Sequence, residues 1–438
     1  MITAPSERVR HMHQRLQALV PGGAHTYAKG DDQFPQSAPP LIERGRGCHV
    51  WDPDGREYLE YGMGLRAVTL GHAFEPVVSA AAQALQHGVN FTRPSTLEWQ
   101  AAEALAELVP CAEMVKFCKD GSHAVDGAVR LARAHTGRDR IAMCADHPFF
   151  STGNWFIGQS EMNAGIPRAE QALVHRFRYN DLASLRSLFD EHPGEIACVI
   201  LEAARTEEPA PGWLQAVQQL TRAQGAVLVF DEMITGFRWH LRGAQQVYGV
   251  TPDLATFGKA LANGFGVSAL AGRRELMSLG GDSGARDRVF LLSTTHGAQT
   301  HELAAALATM RTYREQPVVQ TLYERGARLR AGVDSAVADH GLQDFVSLAS
   351  RDCNLLFTIR DAQRQPSQAF RTLFMQEMLR HGVIAPSFVV SFAHTEADVD
   401  QTVQAVHAAL AVVRRALETD VTLYLEGRPV KPAVRRHV

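Results

Sequence analysis

Three stretches of the 438-residue sequence combine residue types and spacings that could do chemistry. In DLATFGKALANGFG, residues 253–266, Lys259 stands in an apolar run, with Leu254, Ala255, Phe257 and Gly258 before it and Ala260, Leu261 and Ala262 after it. Burial lowers a lysine pKa by as much as ~3–5 units, roughly 4–7 kcal/mol against the charged form. Proteins accept that cost mainly where a neutral amine is useful, as in Schiff-base lysines. The plain alternative is a side chain whose stem covers apolar surface while its ammonium reaches water. In VLVFDEMITGFR, Asp231 ends a strand-like run. Ligands of parallel α/β sheets bind at the carboxyl ends of strands, and the competing role for such an aspartate is to cap the next helix. In KDGSHAVDGAVRLAR, Gly121 gives a tight turn and Ser122 opens a helix. The free N–H groups and positive end of a helix suit an anion, although an ordinary serine cap explains the same residues.

Two other patterns carry less. GMGLRA (62–67) matches G-x-G-x-x-G/A, but Gly71 and Pro76 break the segment after it, so no helix opens at once for a dinucleotide. The pairs His11–His13 and His296–His301 lack a metal-ligand spacing, and no metal is expected.

The elements that must position these residues are legible as alternation. Between about residues 75 and 310, short apolar segments alternate with helical patterns. EMVKFC (113–118), RIAMCA (140–145), ACVILEA (197–203) and AVLVFDE (226–232) read as strands, the last two apolar enough to be covered on both faces. HAVDGAVRLARAHTG, NDLASLRSLFDEH and WLQAVQQLTRAQG read as helices, the first stopped by Gly137. Such alternation predicts a mostly parallel sheet with helices on both sides. Residues 41–61 read as a hairpin turned by D-P-D-G. After about residue 315 come a long helix, a strand-like NLLFTI (354–359) and a last helix from Glu396 to about Glu418. The flanks therefore form a smaller α+β region.

Composition bounds the rest. Hydrophobic residues make up 45% and charged residues 21%, which are globular values with ample length for a large core. Net charge is −3, from 44 basic and 47 acidic residues without a block of one sign, which argues against nucleic acid or an anionic membrane as partner. The six cysteines are scattered without C-x-x-C, as expected of reduced thiols in a cytoplasmic protein rather than a disulfide framework or zinc site. The N-terminal stretch reads as an amphipathic helix rather than a signal peptide, and nothing approaches a membrane span.

Together these pieces resemble the class III aminotransferases that use pyridoxal 5′-phosphate (PLP), in the branch that contains glutamate-1-semialdehyde 2,1-aminomutase. The likeness covers nearly the whole chain. It is carried by PGGAHTYAKG, VWDPDGREYLEYGMGLRAVTLGH, FCKDGSHAVDGAVRLARAHTGRD and APSFVVSFAHTEADVDQTVQA. Its most specific parts are VLVFDEMITGFR and TPDLATFGKALANGFG, in that order. The resemblance implies fold type I, an α/β structure with a mostly parallel central sheet and helices on both faces. Residues 72–315 would form the PLP domain, with 1–71 and 316–438 supplying a smaller α+β domain. It also implies a homodimer with a shared active site. Lys259 would form the internal aldimine and move a proton, and Asp231 would pair with the pyridinium nitrogen. Gly121 and Ser122 would hold the phosphate. Met233, where the family usually has Val, and Phe149 would flank the ring. Glu202 would lie near the cofactor, and Thr295 or its neighbour Thr294 would reach the other subunit's phosphate.

The departures from the family pattern bear on substrate. D-G-S-H-A stands where S-G-T-E-A is usual, so His123 replaces an acid. Phe150 and Ser151 follow Phe149 in place of His-Gly, and A-A-R-T-E follows Glu202 in place of P-V-x-G-N. Lys29 falls where the aminomutase has an arginine that binds substrate carboxylate, and one ammonium is not a bidentate fork. Arg66 could take over a carboxylate or be structural. The expected reaction is amino transfer from a small-molecule donor to a carbonyl acceptor, such as a keto or aldehydo sugar acid or another carboxylate. The alternatives are an intramolecular aminomutase, a non-catalytic paralogue, and a nicotinamide-dependent oxidoreductase resting on GMGLRA alone.

Overall fold

The computed structural model describes residues 4–147, 149–204, 206–281 and 288–431. The chain divides into two compact units, one of residues up to Phe74 together with those from Val318 onward, the other spanning Glu75–Pro317.

The larger unit is built on one sheet. Its strands are β1 (Met114–Cys118), β2 (Arg140–Cys144), β3 (Val174–Phe177), β4 (Ile196–Leu201), β5 (Val227–Asp231), β6 (Leu254–Phe257) and β7 (Ser268–Gly272). Their order across the sheet is β1-β7-β6-β5-β4-β2-β3. The pairs β6–β5, β5–β4, β4–β2 and β2–β3 are parallel, while β7 runs antiparallel to both β6 and β1. Every residue of β4 and β5 is buried, as an apolar run covered on both faces requires. The helices Gly121–Thr136, Leu182–Glu191 and Trp213–Ala223 are the connections after β1, β3 and β4. Gly137 closes the first of them in the left-handed region, at φ 67°, where its N–H bonds back to Arg133.

This topology is what assembles the site. Because β7 is antiparallel to both β1 and β6, those two strands run in the same direction. The carboxyl ends of β1, β2, β4, β5 and β6 therefore share one edge of the sheet. Gly121, Phe149, Glu202, Asp231 and Lys259 all follow or end those strands. The core cysteines Cys118, Cys144 and Cys198 are unpaired and buried, and burial pushes their thiols up to about 12.

The smaller unit holds a four-stranded sheet in the order Arg44–Arg46, His49–Trp51, Glu57–Glu60, Val383–Ile384. The segment expected as one hairpin is a three-stranded meander. Gly47, at φ 59°, turns the first pair, and Gly55, at φ 81°, turns the second. In the D-P-D-G turn, Asp52 Oδ1 accepts the N–H groups of Asp54 and Arg56. Val50, Tyr58, Leu379 and Ile384 form a small core here. Helices Glu7–Leu19, Val318–Asp339, Gln368–Arg380 and Glu396–Glu418 and the antiparallel pair Val346–Ala349/Leu356–Ile359 complete the unit. GMGLRA forms one irregular turn, Met63–Arg66, with left-handed backbone at all four residues, rather than the opening of a nucleotide-binding helix. Among the described residues, no helix is long and apolar enough to cross a membrane.

Candidate active site

Asp231 is the last residue of β5 and only 3% exposed. One of its oxygens accepts the Met233 N–H at 2.9 Å and the Thr256 hydroxyl at 3.2 Å. The helix-cap alternative does not hold, since the next helix begins only at Ala244. Burial raises the Asp231 pKa. The charge on Lys259 and the two hydrogen bonds pull it back, and burial wins.

Lys259 follows β6 at the start of a single 3₁₀ turn, Lys259–Ala262. Its φ is 45°, a conformation that costs a non-glycine residue about 1–3 kcal/mol and that clusters at functional sites. The following Ala260, Leu261 and Ala262 are buried, and Lys259 itself is half-buried. Its charge draws down the pKa of the buried Asp231, which puts the amine within electrostatic reach of that carboxylate.

Met233 connects the pieces. A Cβ on Gly121 would come within 2.9 Å of the Met233 sulfur, and one on Gly258 within 2.7 Å of it and 2.4 Å of Ser268 Oγ. Glycine at these two positions lets the Met233 side chain pack directly against the backbone at the start of the helix and just before Lys259, where a single methyl group would push it away.

The helix after β1 begins at Gly121, and its cap is Asp120, not Ser122. The Asp120 carboxylate accepts the His123 N–H at 3.0 Å and pairs with the His123 ring. Ser122 is thus the second residue of the helix, inside the first turn whose N–H groups lack intrahelical acceptors. Its Oγ accepts the Thr152 N–H at 3.1 Å, which leaves the hydroxyl proton available to an anion. Asp126, one turn further, accepts Ser151 Oγ at 2.6 Å and Trp155 Nε1 at 2.7 Å. The helix therefore fixes the segment that carries Phe149. Phe149 stands 47% exposed, edge-on to Phe156.

Glu202 is buried just past β4, and its N–H donates to His147 Nδ1. Thr294 and Thr295 line one cavity of about 550 Å³ with Lys119, His123, His296 and Gln299, so the structure brings both threonines to the same place. Lys119 there is paired with Glu302 and Gln299. The remaining two candidates belong to the smaller unit. Lys29 is exposed in a short 3₁₀ turn. Arg66 donates through Nε to Asn354 Oδ1 at 2.9 Å and through Nη2 to Ser387 Oγ at 3.4 Å.

Four supporting residues escape a reading of the sequence. Thr256 faces Asp231 only because β5 and β6 pair in that register. Ser268 starts β7, opposite Cys118. Asp126 shares its helix face with Ser122, His123 and Arg130, so in the sequence it reads as one more solvated polar residue. Glu232, beside Asp231, accepts the N–H groups of Ala244 and Gln245 and the Thr235 hydroxyl, locking the loop after β5. D-E signals an acid there but not its role.

The family model of the class-III aminotransferases matches residues 28–410. The 3-aminobutyryl-CoA aminotransferase of Cloacimonas acidaminovorans (strain Evry) is 29% identical over 420 residues, covering 94% of this chain and 98% of that protein. The glutamate-1-semialdehyde 2,1-aminomutase of Roseiflexus castenholzii (strain DSM 13941 / HLO8) is 32% identical over 432 residues, covering 93% and 98%. The PLP internal aldimine form of the FumI protein from Sphingopyxis sp. MTA144 superposes with a TM-score of 0.87 at 29% identity, covering 97% of this chain and 99% of that one.

Proposed function

The chain belongs to the class-III aminotransferases, and from that premise we propose how its own residues divide the work of a PLP-dependent amino transfer. When bound, the cofactor supplies an aldehyde that takes up amines and a ring that draws electrons from the carbon being deprotonated. Lys259 would hold it through Nζ, and as a free amine would carry a proton to and from the reacting carbon. Asp231 keeps a proton on the ring nitrogen, since a buried carboxylate is satisfied best by a cationic N–H. Gly121 and Ser122 donate to the phosphate at the helix N-terminus. Met233 and Phe149 cover the two ring faces, Glu202 stands near the cofactor, and Thr295 serves the phosphate of the other subunit. The observation that carries this reading is a strained, half-buried Lys259 within electrostatic reach of the buried Asp231, with Met233 packed between Gly121 and Gly258.

In this reading residues 72–315 are the cofactor domain, and 1–71 with 316–438 the smaller one. Lys29 and Arg66 of the smaller domain take a carboxylate of the substrate, for which a keto or aldehydo sugar acid is the class we favour. The functional form is a cytoplasmic homodimer. Large apolar side chains left open on the larger unit support self-association, among them Trp99 at 62%, Phe91 at 51% and Phe290 at 68% exposed. A second reading, intramolecular amino transfer, draws on the 32% identity to an aminomutase. One experiment separates the two. Amino donors are added to the loaded enzyme without an acceptor, and the cofactor absorbance is followed. A single half-turnover that stops until a carbonyl acceptor is supplied supports transamination. Sustained turnover of one substrate with no acceptor overturns it.

A further inference from the structure

Outside the site above, Cys48, His49 and Asp398 bring one ligand atom each to within 4.8 Å of one another, all inside the smaller unit. Neighbouring residues of a regular strand point to opposite faces. Here the left-handed Gly47 places Cys48 in a turn before the strand, so its thiol and the His49 ring converge. Cys48 Sγ lies 3.5 Å from Asp398 Oδ2, and His49 Nε2 lies 3.3 Å from Asp398 Oδ1. Zinc bonds of about 2.0–2.3 Å to N, O and S set adjacent donors of a tetrahedron about 3.3–3.6 Å apart; the His49 Nε2–Asp398 Oδ1 separation already matches one such pair, and Cys48 Sγ reaches the other oxygen of the same carboxylate at 3.5 Å.

The surroundings point the same way. His49 Nδ1 lies 3.2 Å from Glu57 Oε1. A proton held there turns the Nε2 lone pair toward Asp398, the carboxylate–histidine arrangement that orients metal-bound imidazoles. Asp398 Oδ2 accepts both the N–H and the hydroxyl of Thr395, which fixes the carboxylate and leaves Oδ1 to face the histidine. Cys48 is buried, while the side chains of His49 and Asp398 are 29% and 13% exposed, so an ion can enter from their side. One thiolate and one carboxylate neutralise a divalent charge, and a Cys/His/Asp set suits zinc(II) among common ions.

We propose that Cys48, His49 and Asp398 bind a divalent transition metal, zinc(II) by donor type, with water completing the tetrahedron. The ion clips the strand His49–Trp51 to the first turn of the helix Glu396–Glu418, about 350 residues away in sequence. A histidine held between two carboxylates, without a metal, is the rival account of the same atoms.

Cobalt(II) tests this on the full-length, PLP-loaded protein after chelator treatment. The expected result is one cobalt per chain, with tetrahedral d–d bands at wavelengths beyond the cofactor absorbance and a thiolate charge-transfer band, both erased by zinc. Cys48→Ser abolishes the charge-transfer band, and His49→Gln abolishes tight binding. Glu57→Gln keeps the bands and weakens binding about 10- to 100-fold. Circular dichroism and unchanged cofactor loading show that each variant is folded. No cobalt uptake by the folded wild type, or a charge-transfer band that survives in Cys48→Ser, overturns the proposal.

Discussion

Asp231→Asn keeps shape and removes charge, and the structure gives opposite signs for its two effects. Without cofactor, burial holds the carboxyl pKa above its unfolded value even against the pull of Lys259. As pH rises past the ordinary carboxylate range, near 3.9, the unfolded chain releases this proton first. Ionisation then favours unfolding, so the cost is absent below the unfolded pKa and grows as pH rises toward the raised folded one. An asparagine carries no such cost, and its Oδ1 can still accept the Met233 and Thr256 donors. The cofactor-free variant should therefore melt at or above the wild-type temperature at neutral pH, with the difference vanishing near pH 4. In the loaded enzyme the sign reverses. Removing one partner of a buried pair costs about 3–5 kcal/mol, which at about 1.4 kcal/mol per decade is a loss of roughly 10²- to several 10³-fold in the half-reaction rate. Stopped-flow absorbance with one amino donor measures the rate, and calorimetry of the cofactor-free protein measures the melting. A rate within tenfold of wild type, or a cofactor-free variant that melts several degrees lower, would refute the reasoning.

Three further perturbations rest on the same geometry. Gly258→Ala leaves the backbone unstrained at φ −175° but drives a methyl into Ser268 Oγ and the Met233 sulfur. Overpacking of about 1–3 kcal/mol should appear as roughly 5- to 150-fold weaker PLP binding by fluorescence titration. Asp126→Ala strips the acceptor from Ser151 and Trp155 and should lower stability by about 2–4 kcal/mol in urea denaturation, with looser cofactor binding through the Phe149 segment. Trp99→Glu puts a charge on the open apolar surface and should weaken the dimer at least tenfold by sedimentation velocity; a wild-type monomer would remove the premise.

Much of the fold is legible in the sequence. ACVILEA and AVLVFDE announce β4 and β5 because a strand covered on both faces has no polar side to show. Gly137 ends its helix because a left-handed residue is cheapest as glycine. Strand β7 is not legible, being mostly alanine and glycine, and its antiparallel place between β1 and β6 is set by pairing that no local pattern states. Nor is β3, since VHRF alternates buried ends with polar middle residues over only four positions. At the site, Lys259 and Asp231 stand out because each breaks the chemistry of its surroundings. Thr256 does not, because its contact with Asp231 depends on register. Asp120 and Ser122 are both good helix caps two residues apart, and only the observed hydrogen bond to the His123 N–H decides between them.

The central claim is that Lys259, of all the lysines in the chain, carries the cofactor. Borohydride reduction of the loaded enzyme followed by peptide mass mapping tests it directly. The account predicts a pyridoxyl mass on the peptide containing Lys259, absent from Lys259→Ala protein that still folds. The same adduct on another lysine of the wild type, or an undiminished adduct in Lys259→Ala, would contradict it.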